Sequence, residues 1–399
     1  MRKISFVLVF LSVLLTALSA GRAAVGPVQL YNADSSSYLR FQFVGQFRTY
    51  LESKDSFSGG DRDYDVFTKF RRIRLTFSGY LLKPELTYKL HLSAAPGSLE
   101  LMDLYLNYKF NSRLQLRYGQ FKIPFTRYRI QSFQRLTFTD WAIVSKYFGC
   151  ERQIGLAVHN GFEKPPRWAY AAGIFTGVNA RASHGVGLAE VYDVEAPNPS
   201  DLTDPASTGK YHPEAVGHVS FNSEGITVQS DTDPEKGPLR YSFGLSGAYD
   251  FDPEKQQDFT FRAAAESLIK YRGLALTAIG YIGNTDLDED SKKELAMSGG
   301  LFQSSYRIDK TFEISLRYAL VDFKEVLLTS ARNYIAAEEG IDIGEVDIPY
   351  REEELSVGFN IYFSEHNLKI QNDCSLLKHA YRSGALDDFA LRSQVQISF

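Results

Sequence analysis

Residues 114–152 read LQLRYGQFKIPFTRYRIQSFQRLTFTDWAIVSKYFGCER, and the meaning of this stretch decides how the rest of the chain is read. It begins as a strand: Leu114, Leu116 and Tyr118 alternate with Gln115, Arg117 and Gly119 at the period of two that a half-buried strand shows. The pattern breaks at GQFKIPF, because Pro124 has no N–H to give to a ladder. Arg127, Arg129 and Arg135 follow among Tyr128, Phe133, Phe138 and Trp141, and alternation returns only at residues 153–159. A connection this long inside a compact fold is functional or disordered, and this one is too aromatic for disorder. It reads as a loop folded into the lumen of a membrane barrel, where it narrows a pore and presents arginines to anions.

Strands on either side support that reading. In residues 39–51, Leu39, Phe41, Phe43 and Phe47 oppose Arg40, Gln42, Gln46 and Arg48. In 71–81, Ile73, Leu75, Phe77 and Leu81 oppose Arg72, Arg74, Thr76 and Ser78. Residues 86–92 set Tyr88 and Leu90 against Lys89 and His91, and 102–110 set Met102, Leu104, Leu106 and Tyr108 against Asp103, Tyr105, Asn107 and Lys109. Beyond the insert the same device recurs at 153–159, 168–175, 215–222, 240–249, 259–271, 274–282, 297–308, 312–321, 354–363, 368–376 and 389–399. The count is about sixteen, an even number within the range of bacterial outer-membrane barrels. An all-β transmembrane antiparallel barrel is therefore expected, with Phe41, Phe77, Leu104, Leu316 and Ile397 facing lipid and Arg40, Arg72, Arg74 and Arg317 facing the lumen. Lipid-facing arginine near the bilayer centre would cost roughly 2–4 kcal/mol.

The connections carry a second signal. Those at 82–85, 111–113, 271–273, 309–310 and 364–367 are short, whereas 52–65, the arginine insert, 176–212, 284–294 and 322–350 are long. Short turns at one end and long loops at the other are the habit of outer-membrane barrels. Two connections fit this alternation badly: the short one around 94–98 and the long one at 222–239.

Composition agrees. Phe (29) and Tyr (24) are abundant while mean hydropathy is −0.23, which excludes a bundle of membrane helices. Arg2 and Lys3, an apolar run at 4–18 and small residues at 19–24 read as a signal peptide over 1–24, cleaved between about 20 and 24, ahead of a single barrel domain at 25–399. Without Arg2, Lys3 and Arg22 the balance is 41 basic to 48 acidic residues, which gives no hint of a nucleic-acid partner. Cys150 and Cys374 are far apart in sequence and are expected unpaired, although an oxidising periplasm leaves one disulfide open.

RRIRLTFSGYL (71–81), MDLYLNYKF with LRYGQFKIPF (102–125) and REEELSVGFNIYF (351–363) resemble the phosphate-selective porin O and P family, with GQFKxPF the sharpest match. The resemblance implies a sixteen-stranded, trimeric porin whose third outer loop, here the arginine insert, folds inward and whose lumen attracts anions through arginines and lysines, Lys122 among them. The last strand, with Phe389, Leu391, Val395, Ile397 and Phe399 on one face, resembles the C-terminal signal read by the outer-membrane assembly machinery.

The case for anions also stands without the family. The polar faces of the first five strands carry Arg40, Arg48, Arg72, Arg74, Lys89, Lys109 and Arg117 against Asp103 alone, and Lys122, Arg127, Arg129 and Arg135 come next. Guanidinium is always charged and its planar fork suits phosphate or carboxylate oxygens, and rings of such groups are how pores favour anions. The alternative is a general diffusion porin, in which acids such as Asp140 and Glu151 balance the arginines. From 161 onward the chain turns acidic, with 22 basic and 37 acidic residues. Those acids would either bridge cations and lipopolysaccharide at the outer mouth or, more simply, form a solvated rim.

Asp286, Asp288 and Asp290 copy the start of a calcium loop, but Ser291 replaces the turn glycine and Met297 the bidentate glutamate, so no metal site is expected. Seven histidines without an HExxH pair or a nucleophile motif give no catalytic residue and no cofactor. A barrel enzyme or an adhesive barrel is the rival class; conduction in a planar bilayer separates both from a pore. The partners implied are outer-membrane lipid and lipopolysaccharide, small anions, the assembly machinery and two further copies of the chain.

Overall fold

The segment Phe312–Phe323 displays the rule by which the wall is built. Phe312, Ile314, Leu316 and Tyr318 are exposed, while Glu313, Ser315 and Arg317 between them are buried. Leu316 is 44% exposed and Arg317 1%. A water-soluble sheet buries its apolar face; here the apolar face is the outer one, as in a barrel bathed in lipid.

The computed structural model describes residues 27–54, 63–95, 98–150, 152–161, 165–176, 213–251, 261–284, 297–324 and 349–399. Its strands are β1 (Val28–Tyr31), β2 (Tyr38–Lys54), β3 (Asp63–Leu81), β4 (Lys83–Ala95), β5 (Ser98–Lys109), β6 (Gln115–Lys122), β7 (Arg152–His159), β8 (Trp168–Phe175) and β9 (Glu214–Asn222). They continue as β10 (Arg240–Asp250), β11 (Phe261–Tyr271), β12 (Leu274–Asn284), β13 (Met297–Arg307), β14 (Phe312–Phe323), β15 (Arg351–Ser364), β16 (Leu368–Ala380) and β17 (Ala385–Ser398). From β2 onward each strand pairs antiparallel with the next, and β17 returns to β2 from Phe389↔Ser53 to Ser398↔Val44. The sixteen strands β2–β17 thus close a barrel, as the alternation predicts.

The short strand β1 lies in what reads from sequence as a polar lead-in. It pairs with the remaining stretch of the same β2 edge, Val28↔Phe41 to Tyr31↔Tyr38. Between the two ladders, Phe43 and Phe399 exchange backbone hydrogen bonds of 2.8 and 3.1 Å and stack with ring centroids 5.0 Å apart. At the short-turn end, β11 and β12 are joined by Arg272 and Gly273 with φ of +47° and +97°. Left-handed conformation at both centres is the tight hairpin whose twist matches the strands it joins.

Two bulges correct the expected faces. Gln46 opposes Arg72 while Phe47 opposes Phe70, so Arg71 is the extra residue of β3. In β5, His91 opposes Asp103 while Leu92 opposes Leu101, which makes Met102 the extra residue. Met102, expected beside Leu104 on the lipid face, is buried, and Leu101 takes the exposed place. One inserted residue inverts the parity beyond it, and strict alternation cannot register that. Cys150 and Cys374 form no disulfide. The leader at 1–24, the acidic run with Asp286, Asp288 and Asp290, and most of 176–212 and 322–350 lie outside the described residues.

Candidate functional site

Pro124 ends β6, and residues 123–150 leave the ladder as an irregular chain with three short turns of helix: α1 (Arg127–Ile130), a 3-10 turn (Phe133–Arg135) and α2 (Val144–Phe148). Its aromatic rings are what fix it. Phe148 stacks on Tyr281 of β12 at 5.1 Å and sits where Gly299 of β13 has no side chain; a Cβ there would lie 2.6 Å from the ring. Phe138 lies 4.2 Å from the Arg317 guanidinium and against Gly358 of β15. Tyr147 meets Phe323 edge-on at 5.3 Å. Tyr128, Tyr147 and Phe148 are wholly buried. Their burial offsets the ordering entropy of a segment without a ladder of its own.

Irregular backbone must find its hydrogen bonds elsewhere, and polar side chains of the wall strands supply them. The Arg127 N–H donates to Glu266 of β11 (2.7 Å), Thr139 N–H to Asp373 of β16 (2.8 Å) and Ile143 N–H to Glu354 of β15 (2.7 Å). In the other direction, Asn360 donates to the Thr137 carbonyl (2.7 Å), Lys369 to Leu136 (3.0 Å) and Arg317 to Asp140 (2.9 Å). Glu266, Glu354 and Asp373, all unremarked in the sequence, thus act as acceptors that shape the segment.

Asp140 is the hub. Arg48 of β2 reaches its carboxylate at 3.0 Å, and Arg71 and Arg72 of β3 reach it at 2.9 and 2.8 Å. Adjacent residues of a regular strand point to opposite faces; the bulge at Arg71 is what lets two consecutive arginines converge on one acid. Burial opposes ionisation of Asp140, but Arg72, Arg71 and Arg48 together hold its carboxyl well below the usual carboxylate range. A second cluster forms around Asp103, which receives Lys89 (3.2 Å), His91 (2.9 Å) and Arg152 (2.6 Å).

The remaining expected residues scatter around these two acids. Lys122 donates to the carbonyl oxygens of Arg129 (2.9 Å) and Gln131 (3.0 Å), and lies 5.1 Å from the Trp141 ring. Arg129 stacks on the same ring at 4.3 Å and Arg72 at 5.4 Å, so three cations surround one indole. Arg74 donates to Ser93. Arg117 lies over Tyr105 at 4.2 Å and donates to Asn107. Arg135 is exposed, as is Arg40, which stands opposite Ser78 toward the short-turn end. Arg127, buried like Arg48, Arg72 and Arg74, is bound to Asp231 at 3.1 Å, within the 222–239 connection.

The two halves of the wall differ in charge pairing. Across β10–β17 each of these guanidiniums has an acid of its own: Arg262 with Glu214 (2.7 Å), Arg392 with Asp373 (2.6 Å), Arg317 with Glu354, and Arg240 with both Asp233 and Glu235. Around Trp141 and β2–β7, basic groups gather several to an acid: Arg48, Arg71 and Arg72 on Asp140, Lys89, His91 and Arg152 on Asp103, while Lys122 and Arg129 lie against the indole. Asp140 matches the balancing acid of the general-porin alternative, yet three guanidiniums share it.

The sequence pattern of phosphate-selective porin O and P matches residues 41–399. The chain belongs to that family. As a porin of this family it is an outer-membrane channel protein, and its fold is shared with solved channels of little sequence likeness. It is similar to the outer membrane channel DcaP of Acinetobacter baumannii (TM-score 0.57, 11% identity, 93% of this chain and 99% of that one). It is also similar to OprB of Pseudomonas putida (0.57, 12%, 92% and 95%) and to an anion-selective porin from Comamonas acidovorans (0.53, 12%, 91% and 100%). At such identities the likeness concerns the fold. No curated protein matches this porin sequence.

Proposed function

We propose that this porin passes small hydrophilic solutes by passive diffusion and prefers anions, phosphate-like anions among them. Residues 123–150 would lie in the lumen as its constriction. The observation that carries the preference is the convergence of several cations on Asp140 and on Asp103, described above. In a narrow passage low-dielectric walls focus the field of the nearest fixed charges, and several moderate sites in series let an anion enter and still leave. Lys122, Arg129, Arg117 and Lys89 are the candidate anion-facing groups, the buried Arg48, Arg72 and Arg74 add their field from the wall, and Arg40 and Arg135 lie toward the short-turn end. Arg127 serves instead to hold the segment.

The pairing of arginines with acids on β10–β17 favours a second reading, a general porin whose charges balance on average. Reversal potential in a chloride gradient, repeated with added phosphate, separates the two. An anion-side potential and block by phosphate support the first reading; a potential near zero without block supports the second. Neither reading gives the chain a catalytic role. We further propose cleavage of residues 1–24, assembly as a homotrimer within lipid and lipopolysaccharide, and recognition of Phe399 by the assembly machinery.

A further inference from the structure

The connection at 223–239 breaks the short-turn habit of its end of the barrel, and the structure gives it an occupation. Val228, Ser230, Asp231, Thr232 and Asp233 are buried, the last two at 0% exposure. A solvated turn has no reason to bury two aspartates. Asp233 accepts from the Gly273 N–H (2.8 Å) and binds Arg240 (2.5 Å). Lys270 donates to the Thr227 carbonyl (2.8 Å), and Ser305 to the Asp231 carbonyl (2.9 Å). The chain therefore leaves β9, reaches the inner face of β13 and returns to β10. β13 is three strands from β10, about 14 Å of wall at ~4.8 Å per strand.

Asp231 is also where this connection meets residues 123–150. Its carboxylate accepts from Arg127 (3.1 Å) and Gln131 (2.5 Å), and its carbonyl accepts from Thr137 (3.3 Å). Arg127 donates as well to the Val228 carbonyl (3.0 Å). The space left between Arg127, Val228, Gln229, His218 and Glu266 is about 40 Å³, room for about three waters. The two segments are packed on one another.

We infer that residues 223–239 form a second constriction, a fixed floor under the first, and that Asp231 is the positioning residue that locks the two together through Arg127. The inference rests on the reading that residues 123–150 occupy the lumen. A solute that clears the arginine cluster then still passes beside the floor before it reaches the short-turn mouth. Size exclusion would be set by the floor and charge selection by the cluster.

The test uses the purified full-length porin in planar bilayers. Replacing residues 224–238 by Asn-Gly, a natural two-residue turn, should raise single-channel conductance by about twofold or more and leave the sign of the reversal potential unchanged. Wild-type conductance from a variant that still shows heat-modifiable barrel migration overturns the inference. A second arm does not depend on the deletion folding. With Cys150→Ala and Cys374→Ala as background, Gln229→Cys is exposed to a bulky thiol reagent from the short-turn side, and Lys146→Cys, an exposed residue of the first segment, to the same reagent from the long-loop side. Reduced conductance at 229 supports the floor, and no reduction overturns it. Reduction at 146 alone leaves the first constriction standing without a floor. Reduction at 229 alone supports the floor and overturns the lumen position of residues 123–150.

Discussion

Arg72 and Asp140 form a 2.8 Å ion pair across 68 residues of sequence, joining the wall strand β3 to the middle of the segment that leaves β6. Arg48 and Arg71 complete the same acid. Removing that carboxylate strands two buried guanidiniums, Arg48 and Arg72, and breaking a buried pair costs roughly 3–5 kcal/mol. Asp140→Asn should therefore loosen the segment, seen as frequent conductance steps in single-channel records. It should also move the reversal potential further to the anion side, since one negative charge is gone. Quiet channels with an unchanged potential would contradict this role.

Arg127 and Arg129 are two positions apart and should behave differently. A unit charge ~6 Å from an ion in water is worth about 0.7 kcal/mol, a roughly threefold ratio. Arg129→Ala should lower the anion-to-cation permeability ratio by about that factor with gating unchanged. Arg127→Ala leaves Asp231 buried without its cation, so it should produce unstable conductance with little change in the ratio. Equal effects from the two on permeability would undo the assignment of roles.

Gly299 is the seat of Phe148. Gly299→Val places a methyl-bearing carbon where 2.6 Å separates it from the ring, and such overpacking typically costs about 1–3 kcal/mol. The barrel should still form, because the ladder of β13 keeps its backbone. The segment should become sensitive to protease at residues 123–150, compared with wild type in the same detergent. Undiminished resistance would mean that Phe148 has another place to go.

Acid provides a further check. The folded pKa of Asp140 is depressed, so its stabilising contribution is fully present above an unfolded carboxyl pKa of about 3.9. It is lost only as pH falls through the lower folded value. Open-channel noise should stay flat from pH 7 down to about pH 4, then rise. A rise near pH 6 would point to a histidine, not to this acid.

The strands were legible because lipid on one side and polar lumen on the other impose alternation at every second residue. Phe312–Phe323 shows both faces in twelve residues. The bulges at Arg71 and Met102 were not legible, since an inserted residue leaves no mark in composition, and with Arg71 the convergence on Asp140 was hidden too. The basic residues of the first five strands stand out as a group because few acids share that stretch. Their partners do not: Glu266, Glu354 and Asp373 look like ordinary strand acids until a distant backbone N–H arrives. The connection at 222–239 did announce itself by its length. Its buried aspartates gave no such sign, because Asp-rich sequence otherwise signals a solvated turn.

The edge of β2 has one further consequence. Its ladder passes from the C-terminal strand to β1, with Val28 opposite Phe41 and Phe399 bonded to Phe43. Head and tail of the wall are thus spliced end to end on a shared neighbour, and the seam offers no run of unpaired amides to a passing chain. A circular permutant that joins Phe399 to Val28 and opens the polypeptide at residues 381–384 should keep every rung of the barrel.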